Sequence, residues 1–248
     1  MFILGDIGNT DTKLCLVSKK NKIVKKITFS SKSVNNKELN RLLKKNKIQL
    51  NKIEKILFCC VVPKTFVIIK KFFSKKTKLK CFEVKNLNLK SLIKIKVNYK
   101  QVGSDRITNA ISLIDNKNNF IILDFGTATT FDVLVKNTYF GGIIAPGVRL
   151  SLKTLEDKAT LIPKINLKKI TKVIGNNTIT AVRSGFFWGY AGLIDNIINL
   201  IKKETRKSFK VIITGGFSNL FKNSIKTKAS HNQDITIKGL IKISKFIK

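Results

Sequence analysis

One device occurs twice in this chain and limits what it can fold into. An apolar strand runs into an aspartate, a glycine turn follows, and a second strand leaves the turn. FILGDIG leads into TKLCLVS at the start, and FIILDFG leads into the TATTFDVLV segment about 118 residues later. A single copy is an ordinary hairpin. Two copies at that separation point to one fold used twice, with two halves facing each other across a cleft. The expected boundary falls near residue 115, giving domains 1–115 and 116–248. With only three prolines and no linker rich in Pro, Gly or Ser, the halves are expected to pack closely.

The remaining periodicities alternate strand and helix, so the fold class is α/β. The first 35 residues read as a β-meander with turns at Gly8-Asn9 and around Lys20-Asn21. A helix is expected over 37–46, a strand over 55–62, a helix around 65–74, a strand over 79–84 and a helix starting near Asp105. After the second hairpin, Gly141–Gly147 and Thr214–Gly216 read as glycine-rich strand ends. A helix follows over 178–203, with a strand over 210–216 and a closing helix.

The net charge of +35 invites a nucleic-acid reading. The lysines are spread along the chain, however, and only Arg41, Arg106, Arg149, Arg183 and Arg206 are arginines. No aromatic-basic interleaving or zinc-finger spacing accompanies them, so no specific nucleic-acid partner is expected. The hydrophobic fraction of 43% is that of a soluble globular protein, and no apolar run approaches the roughly 18 to 20 residues that cross a bilayer. The start MFILGDIGNT lacks a basic n-region and a cleavage site, so no signal peptide and a cytoplasmic location are expected. Cys15, Cys59, Cys60 and Cys81 lie in apolar runs without metal spacing and read as reduced core residues. His231 is the sole histidine, which excludes a His-based triad or a His-rich metal site.

Among only 14 acids, Asp6, Asp105, Asp124 and Asp132 stand in apolar or Gly/Thr-rich contexts where a solvated surface acid is not expected. DIGNTDTK, Asp6 to Lys13, can aim backbone N–H groups at phosphate oxygens, with Lys13 adding charge and Asp6 holding Mg²⁺ through water. DFGTATTFD, Asp124 to Asp132, offers the same arrangement again. GSDR, Gly103 to Arg106, sets a carboxylate beside a scarce arginine at a helix start. Ser104 or Asp105 would cap that helix. Arg106 offers a planar fork for a carboxylate or phosphate, and Asp105 can take a proton from an attacking hydroxyl.

With DIGNTDTK, GSDR, DFGTATTFD, GGIIAPG, IGNNT-to-SGFFWG and ITGG in order over its whole length, the chain resembles the type III pantothenate kinase family of the acetate and sugar kinase/Hsp70/actin superfamily. The resemblance implies two ribonuclease H-like, actin-like ATPase domains with ATP in the cleft. It implies phosphorylation of pantothenate on its terminal hydroxyl, the first step of coenzyme A synthesis. By that resemblance Asp6, Ile7, Gly8, Asn9, Thr10, Asp11, Thr12 and Lys13 bind ATP, with Thr127 contacting the nucleotide and Mg²⁺ accompanying it. Asp105 is the proton acceptor. Gly103, Ser104, Asp105 and Arg106 hold pantothenate, and Thr178 completes the pocket across a homodimer interface. Asp124 binds a monovalent cation, potassium or ammonium. Where the family has a tyrosine and a proline, seven and four residues before the glycine of GSDR, this chain has Lys96 and Tyr99. Either Tyr99 fills the tyrosine's role from a shifted position or that contact is lost. Two other readings stay open: a related kinase for another hydroxylated substrate, and a non-catalytic regulator on the same fold.

Overall fold

The computed structural model describes residues 1–247. By its internal contacts the chain forms two units, Met1–Ile114 with Asp234–Lys248, and Asp115–Gln233.

In the first unit β1 (Phe2–Ile7), β2 (Asp11–Val17) and β3 (Ile23–Ser30) form the expected meander. The chain continues through α1 (Asn36–Lys45), β4 (Lys55–Cys60), α2 (Pro63–Thr77), β5 (Cys81–Glu83), a two-residue strand β6 (Lys94–Ile95) and α3 (Ser104–Leu113). The sheet order is β3-β2-β1-β4-β5, antiparallel across the meander and parallel from β1 through β4 to β5. Parallel neighbours need a crossover, and α1 supplies it between β3 and β4. The Asn35 side chain caps α1 by accepting the Glu38 N–H at 2.9 Å, and Leu39, Leu42 and Leu43 turn one stripe into the core. That core gathers Ile3, Ile7, Ile56, Phe58, Ile69 and Phe73, each fully buried, and burying one such side chain stabilises by about 1.5–3 kcal/mol.

The second unit repeats the plan with β7 (Asn119–Phe125), β8 (Ala128–Val135), β9 (Thr138–Pro146), α4 (Val148–Lys158), α5 (Thr178–Thr205), β10 (Lys210–Gly215), α6 (Ser218–Phe221) and β11 (Ala229–His231). Its strands run β9-β8-β7-β10-β11, with the same directions as their counterparts. The repetition extends to register. Asp6 lies opposite Cys59 on the parallel neighbour and Lys13 on the antiparallel one, while Asp124 lies opposite Thr214 and Thr130. A fully buried set including Ile121, Leu123, Phe131, Phe187, Ile194 and Ile213 forms this unit's core.

The sequence division keeps residues 116–248 together, whereas the closing helix α7 (Ile235–Ser244) packs on α3, β1 and β4 of the first unit. Its buried Ile235, Ile237, Leu240 and Ile243 explain the attachment, and the Thr236 hydroxyl donates to Asn109 Oδ1 at 2.8 Å. Gly239 lies against the Thr108 carbonyl, where any side chain would collide. Gly141 and Gly142 stand inside β9, beside the register shift at Val133/Leu134, and not at a strand end. Gly141 takes φ 124°, open to glycine and few others. The elements α4, α6 and β11 lie where sequence periodicity placed none, since each is short or presents few buried positions. Among the described residues no helix is long and apolar enough to cross a membrane.

Candidate active site

The first hairpin is built from Asp6 outward. Gly5 sits where the Phe58 ring of β4 packs into the space a side chain would need, so β1 can lie close to β4 just before Asp6. The Gly8 N–H donates to the Asp11 carbonyl at 3.0 Å and closes the turn. Asn9, Thr10 and Asp11 are exposed, whereas Ile7 and Thr12 point into the protein. The Thr12 hydroxyl is hydrogen-bonded to the Ser31 hydroxyl at 2.8 Å, so its contact is internal. Lys13 faces Asp6 directly across the ladder. The turn sets exposed Asn9 and Thr10 and a lysine on one short segment, a combination suited to an anionic oxygen.

Asp6 is held by a residue whose part the sequence did not reveal. The Cys59 thiol donates to Asp6 Oδ1 at 3.4 Å from the facing position on β4. Burial pushes the Asp6 carboxyl up to about 6, with Lys13 pulling it down and Asp105 adding to the rise. Asp6 and Asp105 therefore share one electrostatic neighbourhood.

Asp105 owes its place to its neighbours. The cap of α3 is Gly103, not Ser104 or Asp105, and no side chain caps it. Ser104 is spent elsewhere: its hydroxyl donates to the Cys60 carbonyl at 2.9 Å and accepts the Cys60 N–H at 2.7 Å. This two-way link pins the start of α3 to β4, the neighbour of the strand that carries Asp6. Any side chain at position 103 would run into the Asp105 carboxylate. Asp105 Oδ1 accepts the Arg106 N–H at 2.9 Å. Burial raises the Asp105 carboxyl above its ordinary range, and Arg106 offsets part of the rise. A carboxylate raised in this way is a stronger proton acceptor than a solvated one.

Tyr99 starts a short 3₁₀ turn ahead of GSDR. Its hydroxyl donates to the Lys85 carbonyl at 3.2 Å, and Lys85 Nζ lies 4.5 Å from its ring centroid. The residue lines a cavity of about 590 Å³ with Leu87, Leu89 and Ile93.

In the second unit Asp124 is the penultimate residue of β7, and the Gly126 N–H donates to the Ala128 carbonyl at 3.0 Å, leaving Thr127 exposed at the tip. Gly215 takes φ 88°, and a Cβ there would stand 2.6 Å from Asp124 Oδ1, so the β10 end needs glycine to pass the carboxylate. Thr178 is the exposed first residue of α5. Asn177 caps that helix by accepting the Thr180 N–H at 2.9 Å, while Thr180 accepts the Asn177 N–H at 3.2 Å. Asp132, the fourth acid in an apolar context, is a core residue that accepts the Tyr139 hydroxyl at 2.5 Å. Among the described residues no three of His, Cys, Asp and Glu gather as a metal cage.

The expected residues thus fall into two sets, Asp6 to Lys13 with Tyr99 and Gly103 to Arg106 in the first unit, and Asp124, Thr127 and Thr178 in the second. Two repeats of one strand plan, each ending in an aspartate and a glycine turn, define an α/β chain of the actin-like ATPase and sugar-kinase class. The solved structure of a Campylobacter jejuni protein named for the Baf family of transcriptional activators shares this fold, with a TM-score of 0.61, 20% identity and 98% of each chain covered. So does a Sinorhizobium meliloti protein bearing the name 2-dehydro-3-deoxygalactonokinase, with a TM-score of 0.59, 8% identity and 99% of each chain covered. The particular family follows from sequence: the chain belongs to the type III pantothenate kinases, whose family model matches residues 2–200. A type III pantothenate kinase of Pelagibacter ubique is 67% identical over 248 residues, the full length of both chains.

Proposed function

We propose that this chain transfers the γ-phosphate of ATP to the terminal hydroxyl of pantothenate, the entry step of coenzyme A synthesis, in the cytoplasm. The observation that carries the reading is a pair of half-buried acids, Asp6 and Asp105, held in one electrostatic neighbourhood by separate devices on β4, within a chain 67% identical to a named pantothenate kinase.

In this reading the amides of Asn9 and Thr10 and the Lys13 ammonium take the ATP phosphates, and Thr127 contacts the nucleotide. Asp105 accepts the proton of the attacking hydroxyl, which makes its oxygen a better nucleophile for in-line displacement. Arg106 binds the pantothenate carboxylate as a two-donor fork. Tyr99 contributes its ring, since its hydroxyl is engaged by the Lys85 carbonyl, and the apolar wall of the adjoining cavity suits the dimethyl carbon of pantothenate.

Mg²⁺ retains several waters and takes one or two carboxylates plus substrate phosphates. The single carboxylate of Asp6, near the end of β1 beside the turn, fits that donor set. Asp124, a partly buried carboxylate at a strand end, suits a monovalent cation such as potassium. When bound, such ions neutralise phosphate charge.

A homodimer in which the second copy supplies Thr178 is supported by exposed apolar side chains in the second unit. Leu161 is 90% exposed, Ile174 88% and Val173 66%, apolar surface that a second copy would cover.

The test is transfer of labelled phosphate to pantothenate by the purified chain in potassium buffer, with Asp105→Asn and a sodium buffer as comparisons. The variant is expected to lose at least about 100-fold in kcat, and sodium to depress the rate. Parental activity in the variant would remove Asp105 from its role. Phosphorylation of a sugar or acetate, but not pantothenate, would favour the related-kinase reading.

A further inference from the structure

The turn that follows Asp6 is held from behind by one residue with no place in the reading above. Ser31 follows β3 directly, and all three of its polar groups are engaged. Its N–H donates to the Thr10 carbonyl at 2.9 Å. Its hydroxyl is bonded to the Thr12 hydroxyl at 2.8 Å, and its carbonyl accepts the Thr65 hydroxyl at 3.2 Å. Thr65 lies in the first turn of α2, so Ser31 joins the Gly8–Thr10 turn to the helix that follows β4. Thr12 is 0% exposed, Ser31 5% and Thr65 6%.

A buried hydroxyl pair is a costly way to fill space. Two apolar side chains of the same shape would be close to neutral for stability, whereas a lone hydroxyl left without its partner costs about 1–3 kcal/mol. What a hydrogen-bonded pair supplies beyond packing is direction. The Thr10 carbonyl and the Thr12 side chain are tied to one residue, and Thr12 lies opposite Ile7, the neighbour of Asp6. Rotation of the Gly8–Thr10 peptides would have to break at least one of these bonds.

We propose that Ser31 is a positioning residue for phosphoryl transfer: bonded to Thr10 and Thr12, it fixes the direction in which the turn presents its amides to the nucleotide phosphates. The proposal rests on the reading of that turn as the phosphate loop. Small misplacements of a binding group are enough to cost catalysis, and a shift of about 1 Å can cost about 100-fold.

The experiment compares Ser31→Ala, Thr12→Val, the double variant, Thr12→Ser and Lys13→Ala for KM of MgATP, KM of pantothenate, kcat and melting temperature. Ser31→Ala is expected to raise KM for MgATP about tenfold while KM for pantothenate stays within about twofold. Thr12→Ser, which keeps the hydroxyl, should retain the parent KM. The double variant separates support from direction. With no orphaned hydroxyl it should melt within about 3 °C of the parent, yet keep the raised KM for MgATP. A double variant with parental KM would reduce Ser31 to a packing residue and overturn the proposal, as would equal rises in both KM values. Lys13→Ala distinguishes the two levels. If it raises KM for MgATP and the Ser31 variants do not, the proposal fails alone; if Lys13→Ala leaves that KM unchanged, the phosphate-loop reading fails beneath it.

Discussion

Asp6 should make the fold weaker at the pH where the enzyme works, and replacing it with asparagine should strengthen the fold while abolishing the reaction. Burial raises its carboxyl from 3.8 to about 6. Unfolded, the group loses its proton near 3.8; folded, it keeps the proton up to about 6. Between those values the folded chain binds more protons than the unfolded one, so stability falls as pH climbs through the window, and the full loss is present above about pH 6. The rise is about two pH units, and at about 1.36 kcal/mol per unit the ionised group costs about 3 kcal/mol at pH 8. An asparagine of the same shape never ionises, so Asp6→Asn should gain about that amount at pH 8 and close to nothing at pH 4. For a chain of this size the gain corresponds to a melting temperature higher by roughly 6–12 °C. Thermal unfolding of both proteins without nucleotide, at half-unit steps from pH 4 to pH 8, reads the effect directly. Transfer to pantothenate should fall by at least about 100-fold in the same variant. A gain of equal size at every pH, or a loss at pH 8, would refute the account of Asp6 as a carboxyl desolvated by the fold.

Three further substitutions probe the side-chain donors of Asp6 and Asp132. Cys59→Ala removes the thiol from Asp6 Oδ1 and should lower kcat/KM for MgATP about three- to tenfold, while Cys59→Ser, which still donates, should stay within about twofold of the parent; equal losses in both variants would count against a hydrogen-bonding role. Tyr139→Phe leaves the Asp132 carboxylate without its hydroxyl donor in a position where both residues are 0% exposed. Urea unfolding should show a loss of about 1.5–3 kcal/mol, and a change below about 0.5 kcal/mol would mean that Asp132 is satisfied without it.

What could be read in the chain follows the range of the interaction that decides each feature. The two hairpins were legible because alternating apolar residues, an acid and a glycine turn are neighbours in sequence, and the same locality exposed α1, α5 and β10. The candidate acids were legible because carboxylates are scarce and these stand among apolar and small residues. The devices that hold them were hidden, since each depends on strand pairing. Ser104 looks like a cap until β4 is known to pass beside it, 44 residues away. Cys59 looks like plain core until parallel pairing sets it opposite Asp6. Thr12 sits in the stretch expected to meet ATP, yet the alternation of β2 turns it inward to Ser31. The closing helix was recognisable by its apolar stripe, but no local signal names the sheet that a stripe will cover.

The attachment of α7 to the first unit has a consequence for how the chain is made. Residues 115–233 leave the ribosome as one uninterrupted stretch and can close on their own contacts. The amino-terminal unit is synthesised earlier but waits longer, because Ile235, Ile237, Leu240 and Ile243 are translated only after the whole of 115–233. Until then the apolar flank of α3, β1 and β4 that α7 covers is bare, so the half begun first is the half that finishes last.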